Sequence, residues 1–202
     1  MLALKKIAVT GSLSAGKTSV CRVFKKLGAC VVSSDEIVHQ LLSSHAPLMR
    51  KIVQLLGSEV LVNEKPDRKK IAEIVFSQPE KLKTLEALIH PLVYEAIEAR
   101  YAEAKTKGLH DFFVAEVPLL FETDAQKFFD FSIAVVANPD QCKERFQQQT
   151  GHSTTDYDAR MKRQLKDKET KADFILVNNG TLEDLEKKVL NLANTLKRNI
   201  YR

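Results

Sequence analysis

The stretch that constrains this chain most is Gly11-Ser12-Leu13-Ser14-Ala15-Gly16-Lys17-Thr18. It fits the pattern G-x-x-x-x-G-K-S/T, whose backbone wraps the phosphates of a nucleoside triphosphate. The residue types follow from that chemistry. Gly11 and Gly16 permit a turn tight enough for successive N–H groups to converge on one anion. Lys17 carries a point charge to the β- and γ-phosphates, and the Thr18 hydroxyl is a ligand for Mg²⁺. A helix starting at the end of the loop adds the positive end of its dipole. The expected nucleotide contacts are Gly11, Ser12, Leu13, Ser14, Ala15, Gly16, Lys17, Thr18 and the adjoining Ser19.

The flanks agree with this reading. Ile7-Ala8-Val9, led in by Leu4, is a short apolar run of the kind a buried parallel strand shows. After the loop, Val20, Val23, Phe24 and Leu27 recur at helical spacing, and Gly28 supplies a stop. Further apolar runs at 30–32, 112–117, 131–136 and 174–177 alternate with helical patterns. This predicts an α/β fold of three layers, α/β/α, around a five-stranded parallel sheet. Thr181-Leu182-Glu183-Asp184 reads as a capping box, and Leu182, Leu185, Val189, Leu192 and Leu196 form the apolar stripe of a closing helix.

Two segments stand outside this alternation. Residues 46–107 carry helical stripes, among them Leu48, Ile52, Leu55 and Leu56, with Asp67 placed to cap a helix. Pro91 predicts a kink or break near His90. Residues 150–172 are polar and bear Arg160, Lys162, Arg163, Lys166, Lys168 and Lys171. Such a run suits a solvated helix face, or the cationic lid that kinases close over transferring phosphate. The expected organisation is a core of 1–45, 108–149 and 173–202, a helical acceptor domain of 46–107, and a lid of 150–172.

A net charge of +5 suits nucleic acid or a small polyanion such as ATP. The basic residues are scattered and tryptophan is absent, which weighs against a nucleic-acid platform. No apolar run approaches a membrane span, and Met1-Leu2-Ala3-Leu4-Lys5-Lys6 runs straight into the first strand. Neither membrane association nor a signal peptide is expected, and the cytoplasm is the expected location. Cys21, Cys30 and Cys142 form no C-x-x-C and suit buried reduced thiols. His39, His45, His90, His110 and His152 form no metal-binding pattern.

Asp35 falls at a strand's exit and a helix's start, behind Ser33-Ser34. It suits a helix cap, or a catalytic carboxylate at the edge of a parallel sheet where ligands bind. His90 suits a substrate ligand or a packed histidine. No strand ends in an aspartate placed to support Mg²⁺; Glu116 and Glu122 are the candidates. Thr170-Lys171-Ala172-Asp173 matches a guanine-reading string, but it precedes a strand rather than following one, and no D-x-x-G exists. The remaining picture is a small-molecule kinase, in which a carboxylate takes the proton of an attacking hydroxyl.

Several segments go further. They are Val31-Val32-Ser33-Ser34-Asp35, Asp67-Arg68, Ile74-Val75-Phe76, the His90-Pro91 stretch from Leu85 to Val93, and Val117-Pro118-Leu119-Leu120-Phe121-Glu122. Arg160 with Gln164, Ala172-Asp173 and Asn178-Asn179-Gly180 complete the series. In this order they resemble the dephospho-coenzyme A kinase family over nearly the whole chain. The resemblance implies a P-loop kinase with a helical substrate domain and a lid, using ATP and Mg²⁺ to phosphorylate the ribose 3′-hydroxyl of dephospho-CoA. It implies Asp35 as general base, Lys17 and Arg160 as catalytic cations, and Thr18 as metal ligand. It puts Asp35, Arg68, His90 and Glu122 with the acceptor, and Asn178 and Asn179 with the adenine. A monomer is expected.

The chain departs from the family pattern in places. Ser12, Ser14 and Ala15 stand where glycine is usual, Ser33-Ser34-Asp35 replaces Asp-x-Asp, and Lys65-Pro66 replaces a glycine turn. Two rival readings are a kinase of another small acceptor, such as a nucleoside monophosphate or a sugar acid, and a nucleotide-binding protein without catalysis. The intact Asp35, Lys17 and Thr18 argue against the second.

Overall fold

A computed structural model of the chain describes residues 4–200 apart from His152, Arg163 and Lys166. Arg163 and Lys166 of the expected lid therefore lie outside the described residues. The chain divides into two compact units, one of residues 1–33 and 101–202, the other of residues 34–100.

The first unit holds β1 (Lys5–Gly11), α1 (Lys17–Lys26), β2 (Cys30–Ser33), β5 (Phe112–Glu116), β6 (Phe131–Val136) and β7 (Phe174–Val177). Its helices after β6 are α6 (Pro139–Thr150), α7 (Thr154–Met161) and α8 (Leu182–Ile200). The strands form one five-stranded sheet in the order β2-β5-β1-β6-β7, all parallel. The expected α/β class and five-stranded parallel sheet are what the chain adopts. β1, in the centre, is buried from Lys6 to Gly11. The edge strand β7 alternates instead, with Ile175 and Val177 exposed.

One face of the sheet presents Ile7, Val9, Phe112, Val114, Ile133 and Val135 to Val20 and Phe24 of α1 and to Leu185, Val189 and Leu196 of α8. Burying such a set supplies most of the drive to fold, at about 25 cal/mol per Å² of apolar surface. Alternate residues point the other way and include small ones, with Ala8 level with Ala115 and Thr10 level with Ala134. Asp173 accepts from both the N–H and the hydroxyl of Ser132, so the guanine-like string serves to tie the chain to β6 just before β7 begins. α8 opens on the expected capping box, with Thr181 and Asp184 exchanging hydrogen bonds. Cys21, Cys30 and Cys142 are free thiols.

The second unit contains α2 (Ser34–Ser44), α3 (Ala46–Leu56), the hairpin of β3 (Leu61–Val62) and β4 (Lys65–Pro66), α4 (Arg68–Ser77) and most of α5 (Pro79–Lys107). Its interior is the apolar set Ile37, Leu42, Leu48, Ile52, Leu56, Val60, Ile71, Val75, Leu85 and Ile89. Asp67 caps α4 as expected, accepting from the N–H groups of Lys69 and Lys70. The hairpin turns through Asn63 and Glu64, both with positive φ, so no glycine is required there. Of the two outcomes expected at Pro91, a kink or a break, the break does not occur: α5 is continuous through it. A single proline removes one N–H bond, and strong periodicity on both sides sustains the helix. No helix among the described residues is long and apolar enough to cross a membrane.

Candidate active site

The phosphate loop leaves β1 at Gly11, opposite Val135 of β6. A Cβ at Gly11 would sit 2.1 Å from the Val135 carbonyl oxygen, and φ is +139°, so only glycine fits. The loop closes on itself where Ala15 N–H donates to Ser12 O at 3.2 Å. Gly16 precedes α1 with φ +106°, and a Cβ there would meet Asn178 Nδ2 at 2.3 Å. The non-glycine residues of the loop are accommodated differently. Ser14 takes a left-handed φ of 56°, while Ala15 is small enough to be fully buried.

Lys17 begins α1 and folds back over the loop. Its ammonium donates to Gly11 O at 3.1 Å and Ser12 O at 2.8 Å. This holds a buried positive charge at the helix N-terminus, where anions are favoured. Thr18 follows, and its hydroxyl donates to Glu116 Oε1 at 3.0 Å. Glu116 ends β5, level with Val9 of β1 on one side and Ser33 of β2 on the other. A carboxylate thus stands at the carboxyl edge of the sheet beside the loop. Cys21 lies one turn beyond Thr18; burial, together with the Glu116 charge, pushes its thiol pKa well up, against the pull of Lys17. It stays protonated and unreactive.

Asn178 follows β7. Its Nδ2 donates to Ala15 O at 2.8 Å, its N–H to Val136 O, and its own carbonyl accepts from Arg145 of α6 at 3.1 Å. Asn179 Oδ1 accepts from Asn138 N–H at 2.7 Å, and Gln141 Nε2 reaches the Asn179 carbonyl. Both asparagines therefore brace the loop and the start of α6.

The segment after α6 is built onto it. Ser153 and Asp156 form a capping box at α7, and Tyr157 packs edge-on against Phe146 with ring centroids 5.6 Å apart. Burial raises the Tyr157 pKa to about 12. Arg160 lays its guanidinium over the same Phe146 ring, 5.4 Å from its centroid, and Lys143 pairs with Asp158 at 2.9 Å. A cavity of about 630 Å³ opens between Ser12 of the phosphate loop and Met161, Lys162, Gln164, Leu165 and Lys168. Glu122 lies behind that wall, accepting from Leu165 N–H and paired with Lys168.

Asp35, Arg68 and His90 belong to the second unit. Asp35 is exposed within the first turn of α2, inside the helix rather than capping it. Arg68 opens α4 and reaches His39 Nδ1 at 2.5 Å. His90 is half-buried beside Tyr94; burial lowers its pKa, against the opposing charge of Glu86.

Sequence reasoning offers Glu116 and Glu122 together as candidate carboxylates, and the structure sets only Glu116 against Thr18. Sequence reasoning passed over Arg145 and Gln141, which no motif marks, and it left Lys168 among the lid's undifferentiated cations.

A family model for dephospho-CoA kinase matches residues 5–184. The dephospho-CoA kinase of Protochlamydia amoebophila is 46% identical over 200 residues, covering 98% of each chain. Among solved structures, TT1252 of Thermus thermophilus superposes with a TM-score of 0.81 at 27% identity, covering 96% of this chain and 98% of its own. The dephospho-CoA kinase of Campylobacter jejuni gives 0.71 at 27% identity with the same coverage. With a family model matched over residues 5–184 and a relative 46% identical along nearly the whole length, the chain belongs to the dephospho-CoA kinase family.

Proposed function

We propose that this protein transfers the γ-phosphoryl group of ATP to the ribose 3′-hydroxyl of dephospho-CoA, giving coenzyme A and ADP. The observation that carries this reading is the phosphate loop, with Lys17 held over it and Thr18 against Glu116, in a chain of this family.

Phosphoryl transfer asks little covalent chemistry of a protein and much positioning and charge. Backbone N–H groups of residues 12–18 receive the β- and γ-phosphates, and the Lys17 ammonium offsets the charge that gathers on the transferring oxygens. Arg160 adds a second cation. Asp35 accepts the proton of the attacking hydroxyl, a role supported by its family position two residues beyond Ser33. The hydroxyl of Thr18 and the carboxylate of Glu116, 3.0 Å apart, are hard oxygen donors that suit Mg²⁺. Thr18 would hold the ion directly with Glu116 supporting it, and the ion would supply positive charge to offset that of the nucleotide phosphates. Arg68 and His90 stand for the acceptor side, and Asn178 and Asn179 for the adenine side. The predicted lack of a membrane span and of a nucleic-acid platform fits a small-molecule enzyme of the cytoplasm.

The test is mass-spectrometric detection of coenzyme A formed from dephospho-CoA and ATP. Product formation is expected. A protein that binds ATP but phosphorylates a nucleoside monophosphate or sugar acid instead, in a panel of acceptors, would overturn the substrate assignment.

A further inference from the structure

The segment Val117-Pro118-Leu119-Leu120-Phe121-Glu122 has no place in the chemistry above, yet its oxygens converge on one lysine. Lys168 is 2% exposed. Its ammonium donates to Pro118 O at 2.6 Å and lies 2.8 Å from Glu122 Oε1. The same Glu122 oxygen accepts from Leu165 N–H at 2.9 Å. Pro118 O also accepts from the Thr10 hydroxyl at 3.2 Å, and Thr10 immediately precedes Gly11 of the phosphate loop. The turn itself is anchored: Leu120 is fully buried, and Ala125 N–H donates to its carbonyl. One bonded path therefore joins the strand that carries the phosphate loop to the wall of the cavity facing it.

A buried ion pair is a poor stabiliser, because desolvation cancels most of its attraction. What it does provide is registry: neither charge tolerates leaving the other. Gln164, Leu165 and Lys168 line the cavity across from Ser12, so the shape of that wall depends on where Glu122 holds Lys168 and Leu165.

We propose that Glu122 is a positioning residue for phosphoryl transfer, acting through Lys168 and Leu165 to fix the cavity wall they form with Gln164 across from Ser12. This rests on the kinase reading above. It differs from the expectation that Glu122 binds substrate: its Oε1 is taken by the protein's own lysine and backbone, and its Oε2 is buried without a hydrogen-bond partner among the described residues. Small displacements of groups that orient a reacting pair cost rate far more than affinity.

Glu122→Gln preserves the shape but leaves the Lys168 ammonium without its counter-charge. Its kcat is expected to fall about tenfold or more while KM for ATP stays within about threefold. Lys168→Met should behave likewise. The double variant E122Q/K168M removes the buried charge altogether. It should regain thermal stability relative to either single variant but not kcat, whereas a merely structural pair would regain both. The double variant carries the test if the single ones do not fold. Retention of kcat within about twofold in any folded variant overturns the proposal. Wild-type protein assayed in parallel separates the two readings. If it fails with dephospho-CoA, the substrate assignment falls, and the variants are then compared on whichever acceptor it uses.

Discussion

Single residues decide whether the phosphate loop exists. Gly11 has no room for a Cβ against the Val135 carbonyl, so Gly11→Ala must force β1 and β6 apart. We expect it to lower the melting temperature by several degrees, about 2 kcal/mol or more, and to abolish ATP binding measured by calorimetry. Ser14 is the opposite case. Its left-handed backbone costs a side chain roughly 1 kcal/mol, which glycine would avoid at some entropic cost of its own. Ser14→Gly should therefore keep ATP affinity at or above the wild-type level in the same titration. Glu116→Gln keeps the hydrogen bond from Thr18 but removes the charge. It should raise the Mg²⁺ concentration for half-maximal turnover by about tenfold, and an unchanged Mg²⁺ profile would release Glu116 from the site.

At the level of elements, caps and periodicity were legible and long-range partnerships were not. Asp67 before α4 and Thr181 before α8 announce their helices by side-chain chemistry that acts within three residues. Asp67→Ala should cost about 1 kcal/mol in urea unfolding. The five strands were visible as apolar runs. The partner of Glu116 was not, because Thr18 lies 98 residues away and only the sheet order brings β5 beside β1. Pro91 does not end α5, for a local reason: the missing N–H is a single defect within a helix of 29 residues. α5 also carries a pH response. Burial favours the neutral His90 imidazole, with Glu86 opposing, so its folded pKa lies below the ordinary value near 6.5. The unfolded chain then takes up the proton first. Stability is present above about pH 6.5 and declines as the pH falls toward the depressed value. His90→Gln should flatten the acid side of the urea-midpoint profile between about pH 7 and pH 5.

On the scale of the whole molecule, the proposed chemistry is divided between two compact units. The phosphate loop, Arg160 and Glu122 fall in one; Asp35, Arg68 and His90 fall in the other. As the proposed base, Asp35 acts on the acceptor hydroxyl and not on the nucleotide, so substitutions there should leave nucleotide binding intact. Asp35→Asn is expected to reduce turnover by about a hundredfold or more with ATP affinity near wild type, and surviving turnover would remove the base assignment. Lys17→Ala should impair both quantities. The brace on the phosphate loop has a further consequence. Asn178 grips the Ala15 carbonyl across 163 residues of sequence. A nascent polypeptide leaving the ribosome displays its glycine-flanked stretch long before the asparagine that finishes it has been translated. Fragments terminated ahead of that asparagine should ignore nucleotide, so that ligand competence arrives only as synthesis nears its end.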